Sequence, residues 1–327
     1  MGGLEVERET AVAAVRAAAR ACRAVQRRLV SSDALEKADR SPVTVADFAS
    51  QAIVCAHLAD RLPGDAVVGE EDAGILRRET GGALRGAVTE HVRAVLGAGV
   101  TEAEVLDWID RGGASEVGGR AWALDPIDGT KGFLRREQYA IALALLLEGE
   151  VVLGVLGCPE LEHGGRPGAL FVALRGERAR VSSLWDDEAA FEPLAPPSLG
   201  TPARARFCES VESGHSDHET SAAIARALGI EREPLRIDSQ CKYAVVARGD
   251  ASIYLRLPTR ADYEEKIWDH AAGSLVVEAA GGRVTDVTGR ALDFRSGRTL
   301  ARNRGIVATS GGIHEAVLEA VAAVRRV

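Results

Sequence analysis

The chain has 327 residues, 46% of them apolar, and a formal net charge of −8. That length suits one large domain or two moderate ones, and the composition is that of an ordinary globular protein. The acidic balance argues against a broad nucleic-acid or anionic-membrane surface, and no apolar run approaches the ~20 residues that span a bilayer.

In chain order, Val12, Val15, Ala19, Cys22, Val25 and Leu29 recur at three- and four-residue steps. That spacing predicts an amphipathic helix within residues 4–30, packed on a core. Glu5, Glu7 and Glu9 lie in it and speak against a transit peptide. The five cysteines form no CxxC pair. They read as buried free thiols in a reducing compartment, so a cytoplasmic location is expected. A second helix is predicted over 45–62, stopped by Pro63-Gly64. Residues 66–69 read as a short strand ending at Glu70-Glu71-Asp72. The polar, glycine-dotted stretch 73–120 reads as a mobile or helical insertion.

Residues 139–147 and 151–156 are predicted strands joined at Glu148-Gly149-Glu150, and 169–174 with 179–181 makes a second hairpin. The proline-rich stretch 192–202 is the predicted linker, with a domain boundary between 198 and 199. Beyond it, helices are expected over 220–228, 269–280 and 312–326, and strands over 244–247 and 252–255. Such a mixture predicts an α/β or α+β layered fold.

The most informative stretch is Asp125-Pro126-Ile127-Asp128-Gly129-Thr130-Lys131-Gly132-Phe133. Two carboxylates flank what reads as a proline-fixed turn, a geometry that grips hard cations through oxygen. A helix opening at Gly129 and Thr130 would aim free backbone N–H groups at an anion. Metal and phosphate sites side by side point to phosphoryl chemistry. Glu70 and Asp269 also end or begin predicted elements, and Asp47 sits just inside the second helix. Taken singly, each acid reads as a solvated surface group or a helix cap. Acids placed repeatedly after buried segments, however, are costly unless paired or metal-bound. Spacing alone leaves their convergence open.

Seven ordered segments carry a resemblance: 41–47 (SPVTVAD), 67–71 (VVGEE), 125–138, 212–215 (ESGH), 238–243 (DSQCKY), 254–258 (YLRLP) and 265–273 (EKIWDHAAG). Together they resemble the lithium-sensitive, magnesium-dependent phosphatases related to inositol monophosphatase and fructose-1,6-bisphosphatase. Within that superfamily the 3'(2'),5'-bisphosphate nucleotidase family matches best. The resemblance implies a layered αβαβα sandwich. In it, residues 1–198 would form an α+β metal-binding subdomain. Residues 199–327 would form an α/β subdomain that adds nucleotide contacts and the last metal ligand.

By the same likeness, Glu70, Asp125 and the Ile127 carbonyl would hold one Mg²⁺, and Asp125, Asp128 and Asp269 a second. Asp47 would lie near a third, weaker position or orient the attacking water. Thr130, bonded to Asp47 or Glu70, would position that water. Gly129 and Thr130 would seat the phosphate. Glu212, His215, Ser239, Lys242 and Arg256 match nucleotide contacts, and Lys131 is either a substrate contact or a solvated helix residue. The implied substrate is a small nucleotide bisphosphate, adenosine 3',5'-bisphosphate (PAP) or its sulfated relative (PAPS). The implied protein is a lithium-sensitive monomer with no nucleic-acid polymer or membrane partner. An inositol phosphate or sugar phosphatase is the competing enzyme reading, and a silent nucleotide sensor the competing class. His215-x-x-His218 also has the look of a zinc pair, but no cysteine stands near it.

Overall fold

A computed structural model describes residues 3–28, 34–36, 42–194, 199–211, 218–258, 260 and 263–325. The chain opens with α1 (Glu5–Arg28), a two-stranded ribbon of β1 (Ala34–Glu36) and β2 (Pro42–Thr44), and α2 (Val45–Arg61). Then come β3 (Ala66–Gly69), α3 (Gly74–Arg77), α4 (Gly82–Leu96) and α5 (Glu102–Asp110). The insertion expected over 73–120 is thus helical. α5 starts on a capping box in which the Thr101 side chain and Glu104 satisfy each other's backbone N–H.

A seven-stranded sheet follows, built from β3, β4 (Arg120–Asp128), β5 (Ala140–Leu147), β6 (Glu150–His163), β7 (Arg166–Leu174), β8 (Arg180–Ser183) and β9 (Glu192–Pro193), neighbours in that order. The short α6 (Thr130–Arg135) interrupts it between β4 and β5. β3 runs parallel to β4, and every later pair is antiparallel. Part of the predicted linker is therefore strand: Glu192 and Pro193 pair with β8.

The second sheet holds β10 (Phe207–Glu209), β11 (Leu235–Arg236), β12 (Ile253–Arg256), β13 (Arg283–Thr285) and β14 (Ile306–Thr309), in the order β11-β10-β12-β14-β13. Helices α7 (His218–Ala227), α8 (Cys241–Arg248), α9 (Ala271–Ala279) and α10 (His314–Val324) lie among these strands in sequence. All strands of the first sheet precede the expected boundary at 198/199 and all strands of the second follow it. Residues 195–198 lie outside the described residues.

Side-chain size explains the layering. In β4 and β5 the large residues Trp122, Leu124, Ile141, Leu143 and Leu145 join one core with Val15 of α1 and Phe48 and Ile53 of α2. The alternating alanines 121, 123, 140, 142 and 144 join a second core with Tyr243 of α8 and Ala272 and Leu275 of α9. Period-two alternation puts these sets on opposite faces. Small residues on the second face let α9 approach closely: a Cβ at Gly154 of β6 would sit 2.8 Å from the Ala272 carbonyl. Tyr254, Val284 and Ala308 of the second sheet close this middle core. The other face of that sheet packs Phe207, Ile253 and Val307 on Ile224 of α7 and Val317 of α10. The result is the five-layer αβαβα sandwich.

Two expectations are corrected here. Residues 244–247 form no strand but belong to helix α8. Val245 and Val246 favour strands, and because Cys241 to Ala247 are all buried, no helical stripe is visible in the sequence. The Asp125–Asp128 stretch is also no turn. It continues β4 through a register shift between Asp125 and Asp128. Pro126 has no N–H to give the ladder, so the strand bulges there, and its carbonyl instead accepts from Ser50 Oγ of α2 at 2.7 Å.

A candidate active site of clustered acids and two cations

Parallel pairing aligns Gly69 of β3 with Leu124 of β4, so Glu70 and Asp125 leave adjacent strand ends together. Gln51, fully buried on α2, fixes the Glu70 end. Its side chain donates to the carbonyls of Glu71 (2.6 Å) and Ile109 (2.7 Å) and accepts from the Glu71 N–H (3.0 Å). Arg298, from far along the chain, donates to the Gly69 carbonyl at 2.6 Å and stacks over Trp268. That stacking places Asp269 on the same side of the molecule.

One recess of about 220 Å³ is lined by Glu70, Asp125, Ile127, Asp128, Gly129, Thr130, Lys131, Ser239, Lys242, Arg256 and Asp269, with Ser210, Asp238 and Tyr263. Asp47 does not line it, but this buried acid at the start of α2 is close enough to add to the charge on Asp125. Glu212 and His215 fall outside the described residues, as does the side chain of His218. A roomier recess beside β6, about 370 Å³, also holds acids, but there Arg175 pairs with Glu150 and Glu278, and Arg295 with Asp293. Burial and mutual crowding of its acids, not volume, single out the smaller one.

The electrostatics show the strain. Asp125 is 2% exposed, and its Oδ1 has no hydrogen-bond partner among the described residues. Burial first, and then Glu70, Asp128, Asp269 and Asp47, push its carboxyl well above the ordinary range. Asp269 rises to about 7, again chiefly through burial. Asp128 is also raised by burial, although Lys242, Arg256 and the Gln240 N–H act against it. An orphaned carboxylate oxygen amid four further acids and a nearby strand carbonyl suits a hard divalent cation, which wants oxygen ligands. The residues fit Mg²⁺.

Opposite the acids stand the cations. Lys242, 5% exposed on the first turn of α8, donates to Ser210 Oγ at 3.2 Å and lies over the Tyr254 ring. Burial lowers its pKa, against the pull of Asp128 and Asp238. Arg256, at the end of β12, pairs through Nε with Glu265 at 2.7 Å and through Nη2 with Asp269 at 3.7 Å. The site also depends on residues that sequence reasoning left without a role. Buried His270 bridges Glu265 (3.1 Å) and the Tyr243 hydroxyl (2.8 Å). The Gln240 side chain ties α8 to α9 through the Trp268 carbonyl and the Gly273 N–H. Glu265 lies four residues before Asp269 inside a motif already singled out, so a buried acid facing a basic strand end was a readable signal.

Gly129 takes φ +88 and caps α6, and Ser239 takes φ +65 on the facing loop. A Cβ on Gly129 would meet Ser239 Cβ at 2.9 Å, so both the conformation and the close approach require glycine. Thr130 opens α6, and its Oγ1 donates to the Ile127 carbonyl at 3.4 Å. Lys131 is exposed on the rim of the same recess.

Comparison with known proteins agrees with this geometry. The profile of the inositol monophosphatase family matches residues 4–326. A Schizosaccharomyces pombe protein named 3'(2'),5'-bisphosphate nucleotidase is 44% identical over 338 aligned positions, covering 98% of this chain and 96% of that one. An Oryza sativa protein of the same name is 46% identical, with 94% and 91% covered. The solved structure of an IMPase from Thermotoga maritima superposes with a TM-score of 0.64 at 19% identity, covering 96% of each chain, and so shares the fold. The chain belongs to the inositol monophosphatase family and, within it, to the 3'(2'),5'-bisphosphate nucleotidases.

Proposed function

We propose that the protein is an Mg²⁺-dependent phosphatase that removes the 3'-phosphate of PAP, giving AMP and inorganic phosphate, and that treats PAPS likewise. The observation that carries this reading is one recess holding both a crowded, buried acid cluster and two cations, the buried Lys242 and the half-buried Arg256. The acid cluster accounts for phosphoryl transfer. The cations account for a second phosphate, which an inositol monophosphate lacks.

In this reading Glu70, Asp125, Asp128, Asp269 and the Ile127 carbonyl hold two Mg²⁺, with a third weaker position near Asp47. Bound there, the ions make water more acidic and offset charge on the transferring phosphoryl group. The chain's own residues do the rest. Thr130 orients the attacking water, and Asp47 or Glu70 takes its proton. The backbone N–H groups of Gly129 and Thr130 hold the phosphoryl oxygens, with Lys131 at the rim. The new P–O bond forms to the water oxygen, and the bond to the 3'-oxygen breaks in line. The leaving oxygen takes up a proton to become the ribose hydroxyl. Lys242, Arg256 and Ser239 seat the 5'-phosphate side of the nucleotide, with Glu212 and His215 as further contacts. We also assign two subdomains, 1–198 and 199–327, a division supported by the separate sheets before and after it, with the recess taking residues from both. We further propose a cytoplasmic monomer.

The test is phosphate release from purified protein, with and without Mg²⁺, on PAP, PAPS, inositol 1-phosphate and fructose 1,6-bisphosphate. Mg²⁺-dependent preference for PAP is expected. A clear preference for inositol 1-phosphate would reverse the assignment.

A further inference from the structure

A second recess, about 510 Å³, opens at the opposite end of the five-stranded sheet, where Arg204, Arg232, Gly249, Ser252 and Ser310 line it. β12 and β14 are antiparallel, so Ser252, just before β12, faces Ser310, just after β14. The Ser310 N–H donates to the Ser252 carbonyl at 3.0 Å. Arg256, at the other end of β12, lines the acid-rich recess. Four strand residues put ~13 Å between the two ends. Helix α8 spans the same gap, from Gln240, whose N–H meets Asp128, to Gly249.

The lining is that of an anion site. Ser310 is 8% exposed, and its Oγ has no hydrogen-bond partner among the described residues. Such an unpaired buried hydroxyl is rare in native folds and calls for a missing partner. Ser252 is 6% exposed, and its Oγ accepts the Arg206 N–H at 3.3 Å, which leaves its own proton to donate. Arg204 and Arg232 are exposed, and neither guanidinium makes a hydrogen bond or ion pair among the described residues. Among the described residues, no acidic side chain lines the recess. Two hydroxyl donors beneath two guanidinium groups complement a tetrahedral oxyanion.

We infer that this recess binds a small oxyanion of the phosphate or sulfate type, separately from the acid-rich site. The probe is sodium sulfate, titrated calorimetrically into the full, chelator-treated protein, with sodium chloride at matched ionic strength as the control. Saturable sulfate binding is expected to persist in Arg256→Ala. It should weaken at least tenfold in the double variant Arg204→Ala/Arg232→Ala and in Ser310→Ala. The double variant alters exposed side chains only, so turnover at the acid-rich site should stay intact and certify the fold. Absence of saturable heat, equal affinity in the Arg204/Arg232 and Ser310 variants, or loss of binding in Arg256→Ala alone would each overturn the inference.

Discussion

Arg256→Ala separates the proposed substrate from its competitor. Arg256 supplies a cation to the acid-rich recess and is held there by Glu265 at 2.7 Å, with its Nη2 also 3.2 Å from the Tyr263 hydroxyl. A charge-assisted hydrogen bond contributes about 1.5–3 kcal/mol. At 1.4 kcal/mol per tenfold, kcat/KM for PAP should fall roughly 10- to 150-fold. Inositol 1-phosphate offers Arg256 no second phosphate and should lose distinctly less, limited to the effect of removing a cation 3.7 Å from Asp269. Stability must be separated from binding. Glu265 is 5% exposed, and removing its partner leaves His270 as its remaining buried contact. Breaking a buried pair from one side costs about 3–5 kcal/mol; since the Arg256 side chain keeps some solvent contact, about 3 kcal/mol is expected. Arg256→Ala/Glu265→Gln should regain most of that stability in urea unfolding without regaining PAP turnover. Equal losses on both substrates, or PAP activity returning with the double variant, would refute the role given to Arg256.

Other outcomes are open to direct measurement. Asp128→Asn should cut Mg²⁺-dependent turnover by at least about a hundredfold, the scale of several kcal/mol of lost charge stabilisation; full activity in the purified variant would remove Asp128 from the metal shell. Burial and neighbouring acids raise Asp125, and Asp269 to about 7, above their unfolded values. The folded state therefore holds extra protons, and metal-free stability should drop as pH rises through 7. Added Mg²⁺ should raise Tm more at pH 8 than at pH 5; a pH-independent increment would contradict that coupling. Buried His314, its ring nitrogens each 2.9 Å from a threonine hydroxyl, is lowered by burial to about 4. Its contribution is present above pH 6.5 and is lost as pH falls toward 4, up to about 3 kcal/mol. His314→Gln should flatten that acid limb of a pH–Tm curve. Millimolar Li⁺, competing with Mg²⁺ for the carboxylates, should inhibit PAP turnover, and unchanged activity at high millimolar Li⁺ would count against shared ligation.

Wherever local pattern matched local environment, the sequence was enough. The 3.6-residue stripe of α1, the Pro63-Gly64 stop after α2 and the Glu148-Gly149 hairpin all stand where the pattern put them. Patterning failed where burial was uniform, as in α8, where apolar residues on every face erased the helical period. It was also underused in α5, whose Thr101-x-x-Glu104 box was readable. Residue types in their local contexts pointed to the acids and to the glycine before the hydroxyl, while the two cations came only with the family resemblance of the seven ordered segments. What the linear chain could not decide was convergence. Glu70 and Asp125 meet because β3 and β4 pair in parallel with Gly69 beside Leu124. Asp269 joins them because Gln240 and Arg298 tie the second half of the chain to the first. The charge crowding that raises Asp125, and the Glu265–His270 brace behind Arg256, depend on through-space distances between residues far apart in sequence. Only tertiary packing sets such distances.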